Sequence, residues 1–470
     1  METFNFPEEG GIDLNERCDV AVLGAGVGGY PAAIRAAQLG ASVCIVENDA
    51  VGGTCLNRGC IPTKVLHAKA HLVHSLHVSE QAGIVANEVA IDPAVLFSFK
   101  NNVVSDLVRG VETLFKRWKV KVVRGTGRLV SPRNIEVEGY GTIETEKIIV
   151  ATGSEETEIP GVVVDGDRVL DSAQLLSLGS IPRSLVIIGG GVIGCEFASI
   201  FNAFGTEVKI VEMLPRLVAT EDLQISRALQ TYFKRKGIEL HLKSRVVSVE
   251  KFDGGVNVVL DSEDKITGEF VLVAAGRKPR VSGLGLEEIG VEFGPRGIVV
   301  DDWMSTNVAG VYAAGDVVGG WLLAHVAMRE SVVAVENAFG AYRKIDYSSV
   351  PTTIYTIPEI SRVGMTEEQA AAEGIEVKKG RFPFAANGKA KGLQETDGFV
   401  KWIARRDDDR VIGLHIIGPG ATELVASGII AVERRMTVEQ FVNSIFPHPT
   451  LSESLFESAE SILGKAIHIK

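Results

Sequence analysis

The chain repeats one pattern of apolar and polar positions: a short apolar run, a glycine-rich turn, a helical stretch and a second apolar run that ends on glutamate. The first copy begins with residues 19–23 and the second with residues 184–188. Unbroken apolar runs of this length are typical of strands buried on both faces of a parallel sheet. Four positions match at an offset of 165, which predicts two related βαβ units. The matching positions are Gly24, Gly26, Gly29 and Glu47 in the first copy and Gly189, Gly191, Gly194 and Glu212 in the second.

The glycine pattern G-x-G-x-x-G between a strand and a helix is typical of a dinucleotide-binding unit. The glycines let the backbone approach a pyrophosphate, and the helix N-terminus offers unpaired N–H groups to it. The glutamate at the end of the next strand accepts hydrogen bonds from a ribose diol. Each copy has all these parts, so we expect two dinucleotide sites rather than one functional and one vestigial copy. Two sites in one chain indicate that electrons pass between two bound dinucleotides.

Further apolar runs predict the domain organisation. Runs at 147–150 and 270–273, each followed by a glycine turn, close the two βαβ regions. The predicted elements near the C-terminus are strands at 398–405 and 410–417 and helices at about 421–436 and 451–463. The predicted fold class is α/β, with two Rossmann-like dinucleotide-binding domains, a central domain and a C-terminal α+β domain. The predicted domain limits are 1–155, 156–281, 282–350 and 351–470.

Composition and charge exclude several classes of protein. With 48 Lys and Arg against 60 Asp and Glu, the 470-residue chain carries a net charge of −12, which argues against nucleic acid or an anionic membrane as its main partner. No run reaches the ~18 apolar residues of a membrane span. The acidic N-terminus resembles neither a signal peptide nor a transit peptide, and five cysteines are too few for an extracellular framework. We therefore expect a cytoplasmic enzyme in which Cys18, Cys44 and Cys195 are buried.

Two further cysteines lie where redox chemistry is expected. Cys55 and Cys60 belong to the segment 52–64, Gly-Gly-Thr-Cys-Leu-Asn-Arg-Gly-Cys-Ile-Pro-Thr-Lys, which begins five residues after Glu47 and leads into a helical pattern. Two cysteines at this spacing can form a disulfide, and a helix N-terminus stabilises the thiolate form. The alternatives are a structural disulfide, which the cytoplasm disfavours, and a metal knuckle, which needs two further ligands.

A row of histidines follows the cysteine segment. His67, His71 and His74 share one face of the predicted helix, and His77 follows them. A metal site would call for a carboxylate at ligand spacing, and the segment lacks one. We therefore expect an ordinary histidine face and no metal.

Near the C-terminus, His448 and Glu453 are candidates for acid–base chemistry. His448 precedes a proline, and Glu453 lies five residues later near a predicted helix start. A carboxylate can orient an imidazole and hold its charge, as a general base requires. From these residues alone, an ordinary core or surface histidine stays the alternative.

Taken together, these motifs resemble those of the pyridine nucleotide–disulfide oxidoreductases. The resemblance covers about residues 18–465 and includes the cysteine segment, both glycine patterns, Ala151-Thr152-Gly153, Gly315-Asp316 and the stretch 448–453. Within that family the chain is most similar to the members that oxidise dihydrolipoyl groups. The resemblance implies FAD in the first domain, NAD in the second, and a homodimer formed through the C-terminal domain.

The resemblance also implies roles for individual residues. Cys55 and Cys60 would form the redox-active disulfide, with Cys60 nearer the flavin, and His448, held by Glu453, would act as the base. Lys64 would lie at the flavin edge and pair with Glu196. The residues implied at FAD are Gly24, Gly26, Gly29, Glu47, Gly53, Thr54, Lys64, Gly127, Thr152, Gly153, Asp316 and Ala324. Those implied at NAD are Gly189, Gly191, Gly194, Glu212, Val246 and Gly276.

The implied partners are the lipoyl domain and acyltransferase core of a 2-oxo acid dehydrogenase complex, or the lipoyl protein of glycine cleavage. One alternative is an NADPH-dependent glutathione-type reductase, which would carry cations where Glu212 stands and for which Arg216 is a candidate. Another is a non-catalytic redox-sensing flavoprotein subunit. Mercuric reductases carry a C-terminal cysteine pair, whereas the last cysteine here is Cys195. The chain departs from the family pattern at Arg58, Arg280 and Trp321.

Overall fold

The computed structural model describes residues 15–86 and 89–470, which form two compact units. The first unit contains the described residues up to Pro62 together with Asn101–Thr157 and Arg277–Ile345. The second contains the described parts of Thr63–Lys100, Glu158–Gly276 and Asp346–Lys470. Most of the acidic N-terminus, from which we predicted the absence of a targeting peptide, lies outside the described residues.

Helices occur in both units, and several begin at side chains that cap them. Asp171, Thr366 and Thr437 each form a capping box with a glutamine three residues later. In chain order the helices are α1 (Tyr30–Gln38), α2 (Gly53–Arg58), α3 (Cys60–Ser79), α4 (Pro93–Trp118), α5 (Ser172–Leu176), α6 (Val192–Ala203), α7 (Leu223–Arg235), α8 (Ala324–Ala338), α9 (Glu367–Ala372), α10 (Gly388–Leu393), α11 (Ala421–Glu433), α12 (Val438–Val442) and α13 (Glu453–Ile462). Short 3₁₀ turns lie at Glu80–Ala82, Asp316–Val318 and Phe384–Ala386.

The strands, in chain order, are β1 (Asn15–Leu23), β2 (Val43–Glu47), β3 (Lys121–Arg124), β4 (Gly127–Ser131), β5 (Asn134–Val137), β6 (Gly141–Val150), β7 (Ser154–Glu156), β8 (Val169–Leu170), β9 (Ser184–Ile188), β10 (Glu207–Glu212), β11 (Glu239–Leu242), β12 (Val246–Phe252), β13 (Gly255–Leu260), β14 (Lys265–Gly268), β15 (Phe270–Val273), β16 (Arg277–Pro279), β17 (Phe293–Gly294), β18 (Gly297–Ile298), β19 (Val311–Ala313), β20 (Pro351–Ile354), β21 (Glu359–Gly364), β22 (Val377–Pro383), β23 (Phe399–Arg405) and β24 (Val411–Gly418).

The first unit is built on a sheet of order β3-β2-β1-β6-β5-β4, with β19 also paired to β6. Strand β1 is parallel to both of its neighbours, with Val22 opposite Ile45 of β2 and Ile149 of β6. The chain leaves β1 toward β2 on one side and returns to β6 on the other, so the carboxyl end of β1 is a topological switch point. Ligands of open α/β sheets bind at such points. The glycine turn at Gly24 begins there.

The second unit repeats this arrangement and adds two antiparallel sheets, the three-stranded β12-β13-β14 and a larger one of five strands. Its parallel sheet has the order β11-β10-β9-β15-β8, and β9 lies between β10 and β15 with the Gly189 turn at its carboxyl end. The larger antiparallel sheet has the order β20-β21-β24-β23-β22. Trp402 on β23 is fully buried and donates its indole N–H to the carbonyl of Leu455 on α13 at 2.9 Å. This bond joins the sheet to the helix that begins with Glu453.

Most predicted elements are confirmed. The runs 184–188 and 270–273 are β9 and β15, and the C-terminal hairpin is the antiparallel pair β23–β24. The predicted helix 421–436 ends earlier, at Glu433, because the chain turns and Thr437 starts a separate helix. Cys18, Cys44 and Cys195 are buried, as expected.

Candidate active site

In the first copy, the chain itself requires two of the three glycines. Gly24 has φ of +100°, and a Cβ there would lie 2.5 Å from the carbonyl oxygen of Ala151. A Cβ on Gly29 would lie 1.8 Å from the carbonyl oxygen of Gly24. At Gly26, by contrast, the nearest atom to a Cβ would be the Cα of Gly53 at 3.7 Å, an ordinary contact distance. Nothing in the protein therefore requires glycine at position 26.

The second copy shows the same division. A Cβ on Gly189 would lie 2.4 Å from the carbonyl oxygen of Ala274, and one on Gly194 would lie 1.9 Å from that of Gly189. A Cβ on Gly191 would meet no atom within 4 Å. Gly191 directly precedes α6, whose first N–H groups point out of the helix. A pyrophosphate fits an open surface beside a helix N-terminus, which a side chain would otherwise fill. Both glycine turns, which we call cradles, therefore fit a bound dinucleotide.

Glu47 ties the end of β2 to the first glycine turn. One carboxylate oxygen accepts the N–H of Ala25 at 2.7 Å, and the other accepts the N–H of Asp49 at 2.8 Å. Burial raises the pKa of this carboxyl, and the hydrogen bond from Ala25 opposes that shift. Because each carboxylate oxygen has a second lone pair, the group can also accept ribose hydroxyls.

Glu212 makes the same pair of bonds in the second copy. Its oxygens accept the N–H groups of Gly190 at 2.6 Å and Leu214 at 2.7 Å, positions offset by 165 from those that bind Glu47. The nearby cation Arg216 is already engaged, because it pairs with Glu368 at 3.2 Å and donates to a carbonyl of its own loop at 2.8 Å. A buried carboxylate and an occupied arginine fit a ribose diol better than a 2′-phosphate.

The cysteine segment forms two helices rather than the single one predicted. Cys55 lies in the short helix α2, and Cys60 is the first residue of α3; both side chains are half-buried. Asn57 donates two hydrogen bonds, at 3.0 and 2.9 Å, to carbonyls of the preceding turn. Arg58, at a position where the family usually has a small apolar residue, pairs with Asp49. These contacts hold the turn that carries Cys55.

The structure brings Lys64 and Glu196 together, as the resemblance implied. The Lys64 ammonium lies 3.1 and 2.9 Å from the two carboxylate oxygens of Glu196. Glu196 is buried on α6 and also accepts the backbone N–H of Tyr355 at 2.9 Å. The ring of Tyr355 lies under the ammonium, with the Nζ atom 4.5 Å from its centroid. The sequence analysis missed Tyr355, since nothing in its local pattern marks it.

His448 and Glu453 are also brought together. The His448 Nδ1 atom lies 2.7 Å from one oxygen of Glu453, and the other oxygen accepts the N–H of Thr450 at 2.8 Å. Burial alone would raise the pKa of Glu453, but the hydrogen bonds from Thr450 and His448 hold it below its usual value. The His448 side chain is 79% exposed to solvent.

Comparison with known proteins agrees with this geometry. Residues 18–331 match the family model of pyridine nucleotide-disulphide oxidoreductases, and residues 350–459 match the dimerisation domain of the same family. The chain belongs to the pyridine nucleotide-disulphide oxidoreductase family. That family uses FAD and NAD(H), for which the two cradles are suited. The presence of its dimerisation domain supports a homodimer.

Individual relatives of this oxidoreductase cover nearly its whole length. It is 42% identical over 463 residues to the mitochondrial dihydrolipoyl dehydrogenase of Pisum sativum, covering 96% of this chain and 92% of the relative. It is also 42% identical over 457 residues to the dihydrolipoyl dehydrogenase of Bacillus subtilis (strain 168), covering 96% and 99%. The crystal structure of LpdA from Mycobacterium tuberculosis matches with a TM-score of 0.88 at 28% identity, covering 95% and 99%.

Polar side chains of the first unit form hydrogen bonds around Asp316. Ser154 donates its hydroxyl to Asp316 at 2.6 Å, and Arg277 donates to the same hydroxyl at 2.8 Å. Thr152 donates its hydroxyl to the carbonyl of Arg280 at 3.0 Å, so this departure from the family pattern contributes through its backbone. Ser154 and Arg277 were not predicted; their roles depend on contacts across more than a hundred residues.

Gly127 has a reason other than a cofactor for being glycine. It is buried on β4, and a Cβ there would lie 2.5 Å from Leu23 and 3.0 Å from Val46. Core packing alone therefore disfavours any larger residue at this position. The remaining predicted positions lie at element ends or in turns: Gly53 and Thr54 at the start of α2, Gly153 after β6, Val246 at the start of β12, Gly276 after β15, and Ala324 at the start of α8.

The histidine face on α3 has several separate environments. His67 is buried and lies 3.3 Å from the carbonyl of Thr356, while His71 pairs with Glu395 at 3.1 Å. Burial lowers the pKa of His74 to about 4. Across residues 15–86 and 89–470, no three or more His, Cys, Asp or Glu side chains are grouped so that they could hold a metal ion.

In the same part of the chain, no helix is both long and apolar enough to span a bilayer.

Proposed function

We propose that this chain oxidises protein-bound dihydrolipoyl groups to lipoyl disulfide, with NAD⁺ as the electron acceptor. The observation that carries the proposal is the exposed His448 held by Glu453 at 2.7 Å. An oriented imidazole is the group that deprotonation of a dithiol requires. Dihydrolipoyl dehydrogenases at 42% identity over nearly the whole chain support the same substrate.

In the proposed reaction, His448 Nε2 accepts the proton of one dihydrolipoyl thiol, because Nδ1 is held by Glu453. The resulting thiolate attacks the sulfur of Cys55, the Cys55–Cys60 bond breaks, and Cys60 leaves as a thiolate. The second substrate thiol then attacks the substrate sulfur of the mixed disulfide and releases lipoyl disulfide. Its proton passes to the departing sulfur of Cys55. The substrate loses two electrons and the cysteine pair gains them.

When bound, FAD supplies the two-electron chemistry that links the cysteine pair to NAD⁺. Lys64, four positions after Cys60 on α3, would place a positive charge at the flavin edge, and Glu196 holds its ammonium in position. Glu47 would hold the FAD ribose, and Glu212 would hold the NAD ribose. The other residues that we assign to FAD are Gly24, Gly26, Gly29, Gly53, Thr54, Gly127, Thr152, Gly153, Asp316 and Ala324, and those to NAD are Gly189, Gly191, Gly194, Val246 and Gly276.

We further propose the domain limits 1–155, 156–281, 282–350 and 351–470 and a cytoplasmic location. The proposed partners are the lipoyl domain and acyltransferase core of a 2-oxo acid dehydrogenase complex, or the lipoyl protein of glycine cleavage. A net charge of −12 suits docking on a basic binding domain.

Paired steady-state assays test the function. NAD⁺ reduction by dihydrolipoamide is compared with NADPH oxidation by oxidised glutathione, and we expect kcat/KM to favour the first reaction by several orders of magnitude. His448→Gln should lower the first activity by ~10²–10⁴-fold, the range for removal of a positioned base.

A matched control is a second histidine that pairs with a glutamate of α13. His468 pairs with Glu457 at 2.7 Å, as His448 does with Glu453, and its side chain is 66% exposed. His468→Gln should stay within about twofold of the wild type. A preference for glutathione and NADPH, or equal losses in the two histidine variants, would overturn the proposal.

A further inference from the structure

A tyrosine from a distant part of the chain completes the surroundings of Lys64. Tyr355 lies between β20 and β21, 159 residues after Glu196 and 291 after Lys64. Its backbone N–H binds Glu196 at 2.9 Å, and its ring centroid lies 4.5 Å from the Lys64 ammonium. The ammonium therefore has a carboxylate on one side and an aromatic face on another.

The Tyr355 ring is itself held in place. The His67 ring meets it edge-on, with centroids 5.7 Å apart and planes at 79°. His67 is buried and lies 3.3 Å from the carbonyl of Thr356, next to Tyr355 in the chain. Burial lowers the pKa of His67 and raises that of Tyr355, so both rings are neutral near pH 7. A neutral, fixed ring face attracts a cation without forming an ion pair with it.

We propose that Tyr355 is a positioning residue for Lys64: its ring keeps the ammonium directed at the flavin edge. The inference rests on the proposed function, which places Lys64 there. Lysine has four rotatable side-chain bonds, and Glu196 restrains only the end of that chain from one direction. The ring restricts the remaining freedom. It acts on the reaction through Lys64 and does not touch the reacting atoms.

Side-chain substitutions isolate the ring, because the bond from Tyr355 to Glu196 comes from the backbone and is kept in every variant. Tyr355→Leu removes the aromatic face, and Tyr355→Met does so with an unbranched side chain in case leucine does not fold. Tyr355→Phe keeps the face and removes only the hydroxyl. Phe339→Leu is the matched control, since Phe339 lies under Lys147 at 6.0 Å, outside the proposed site.

The experiment is a double-mutant cycle on the FAD-loaded enzyme, with Tyr355→Leu made in the wild type and in Lys64→Met. The readouts are the flavin midpoint potential and the rate of flavin reduction by NADH. In the wild-type background, Tyr355→Leu should lower the potential and slow reduction by about three- to thirtyfold, the range for a lost cation–π contact. In the Lys64→Met background it should change the rate by less than about twofold. Tyr355→Phe should keep most of the wild-type rate and potential, and Phe339→Leu should change neither.

Equal losses in both backgrounds would overturn the inference, since the ring would then act by packing alone. An unchanged Tyr355→Leu enzyme, or a Tyr355→Phe enzyme as slow as Tyr355→Leu, would also overturn it. If Lys64→Met leaves the potential unchanged, the placement of Lys64 fails and the inference fails with it. A wild-type enzyme that accepts electrons from NADH but not from dihydrolipoamide would overturn the proposed substrate and leave this cycle fully interpretable.

Discussion

Cys55 and Cys60 belong to different helices, and this difference separates their chemistry. Cys60 is the first residue of the twenty-residue helix α3, where the positive end of the helix dipole stabilises a thiolate. Cys55 lies inside α2, a helix of only six residues. The local structure thus favours Cys60 as the sulfur that carries negative charge and Cys55 as the sulfur that the substrate attacks.

This division predicts the spectra of two variants. With Cys55→Ser, the Cys60 thiolate should give a long-wavelength thiolate-to-flavin absorbance band without any reductant. With Cys60→Ser, the band should be missing even after reduction by two electrons. Absorbance spectra of the purified holoenzymes measure both, and the reverse result would exchange the roles of the two cysteines.

At the scale of elements, the two βαβ units repeat even their hydrogen bonds. The carboxylates of Glu47 and Glu212 each accept two N–H groups, and the four donors keep the offset of 165 residues. The glycines divide in the same way in each copy: the outer two are required by backbone contacts, and a Cβ on the middle one would meet no atom closer than an ordinary contact distance. The repeat thus separates glycines needed for folding from glycines needed for a ligand.

That separation predicts opposite results for two neighbouring substitutions. Gly191→Ala should fold with an almost unchanged Tm, because its Cβ meets no atom within 4 Å, but should raise the KM for NAD⁺ at least about tenfold. Gly194→Ala should lower stability by about 1–3 kcal/mol or more, because its Cβ would lie 1.9 Å from a carbonyl oxygen. Thermal melts and steady-state kinetics measure the two effects. A destabilised Gly191→Ala with normal NAD⁺ kinetics would contradict the assignment.

A buried charge cluster lies where α7 meets the larger antiparallel sheet. Lys401 on β23 binds Asp222 at 2.7 Å, and both side chains are at most 2% exposed. His415 on β24 is fully buried, and its Nε2 lies 2.9 Å from the carbonyl of Met365. Burial lowers the pKa of His415 to about 4, with Asp222 opposing this shift and Lys401 and Arg362 adding to it.

This depressed pKa predicts acid lability. A histidine in the unfolded chain has a pKa of about 6.5. Below that pH the unfolded chain therefore binds a proton at position 415, whereas the folded chain does not. Stability should therefore fall as the pH drops from about 7 toward 4, by about 2 kcal/mol at pH 5 from this one group. His415→Gln, which can keep a bond to Met365, should flatten the decline of Tm between pH 7 and 5. An equally steep decline in the variant would show that other groups cause it.

In the whole molecule, the histidine that we propose as the base belongs to the dimerisation domain. His448 lies in the range 350–459 that matches the family's dimerisation model, and its side chain is 79% exposed in the single chain. The resemblance places this histidine over the disulfide of the opposite subunit. Each active site would then contain residues of both chains.

Complementation of inactive variants tests this arrangement. Cys55→Ser and His448→Gln homodimers should each lose ~10²–10⁴-fold or more of their activity with dihydrolipoamide. A mixed dimer has one site with both native residues, so subunit exchange should restore up to about half of the wild-type activity. NADH-dependent dye reduction at the flavin should survive in both homodimers. If native mass spectrometry finds the mixed dimers and activity stays absent, the histidine and the disulfide act within one chain.

Features that depend on neighbours along the chain could be predicted from the amino-acid sequence. Buried strands, the glycine turns that follow them and the acids that end β2 and β10 were predicted within a few residues, because apolar periodicity and glycine spacing are local signals. Family resemblance added the pairs Lys64–Glu196 and His448–Glu453. Such patterns did not predict the break between α2 and α3 or the early end of α11.

Contacts between residues that are far apart in the chain became known from the folded structure. Tyr355 beside Lys64, Ser154 beside Asp316 and Lys401 beside Asp222 join segments more than a hundred residues apart, so no local pattern carries them. The structure also shows that a Cβ has room at Gly191 and none at Gly194, a difference that the sequence does not show. What a side chain does depends on the atoms that surround it, and folding brings most of those atoms from elsewhere in the chain.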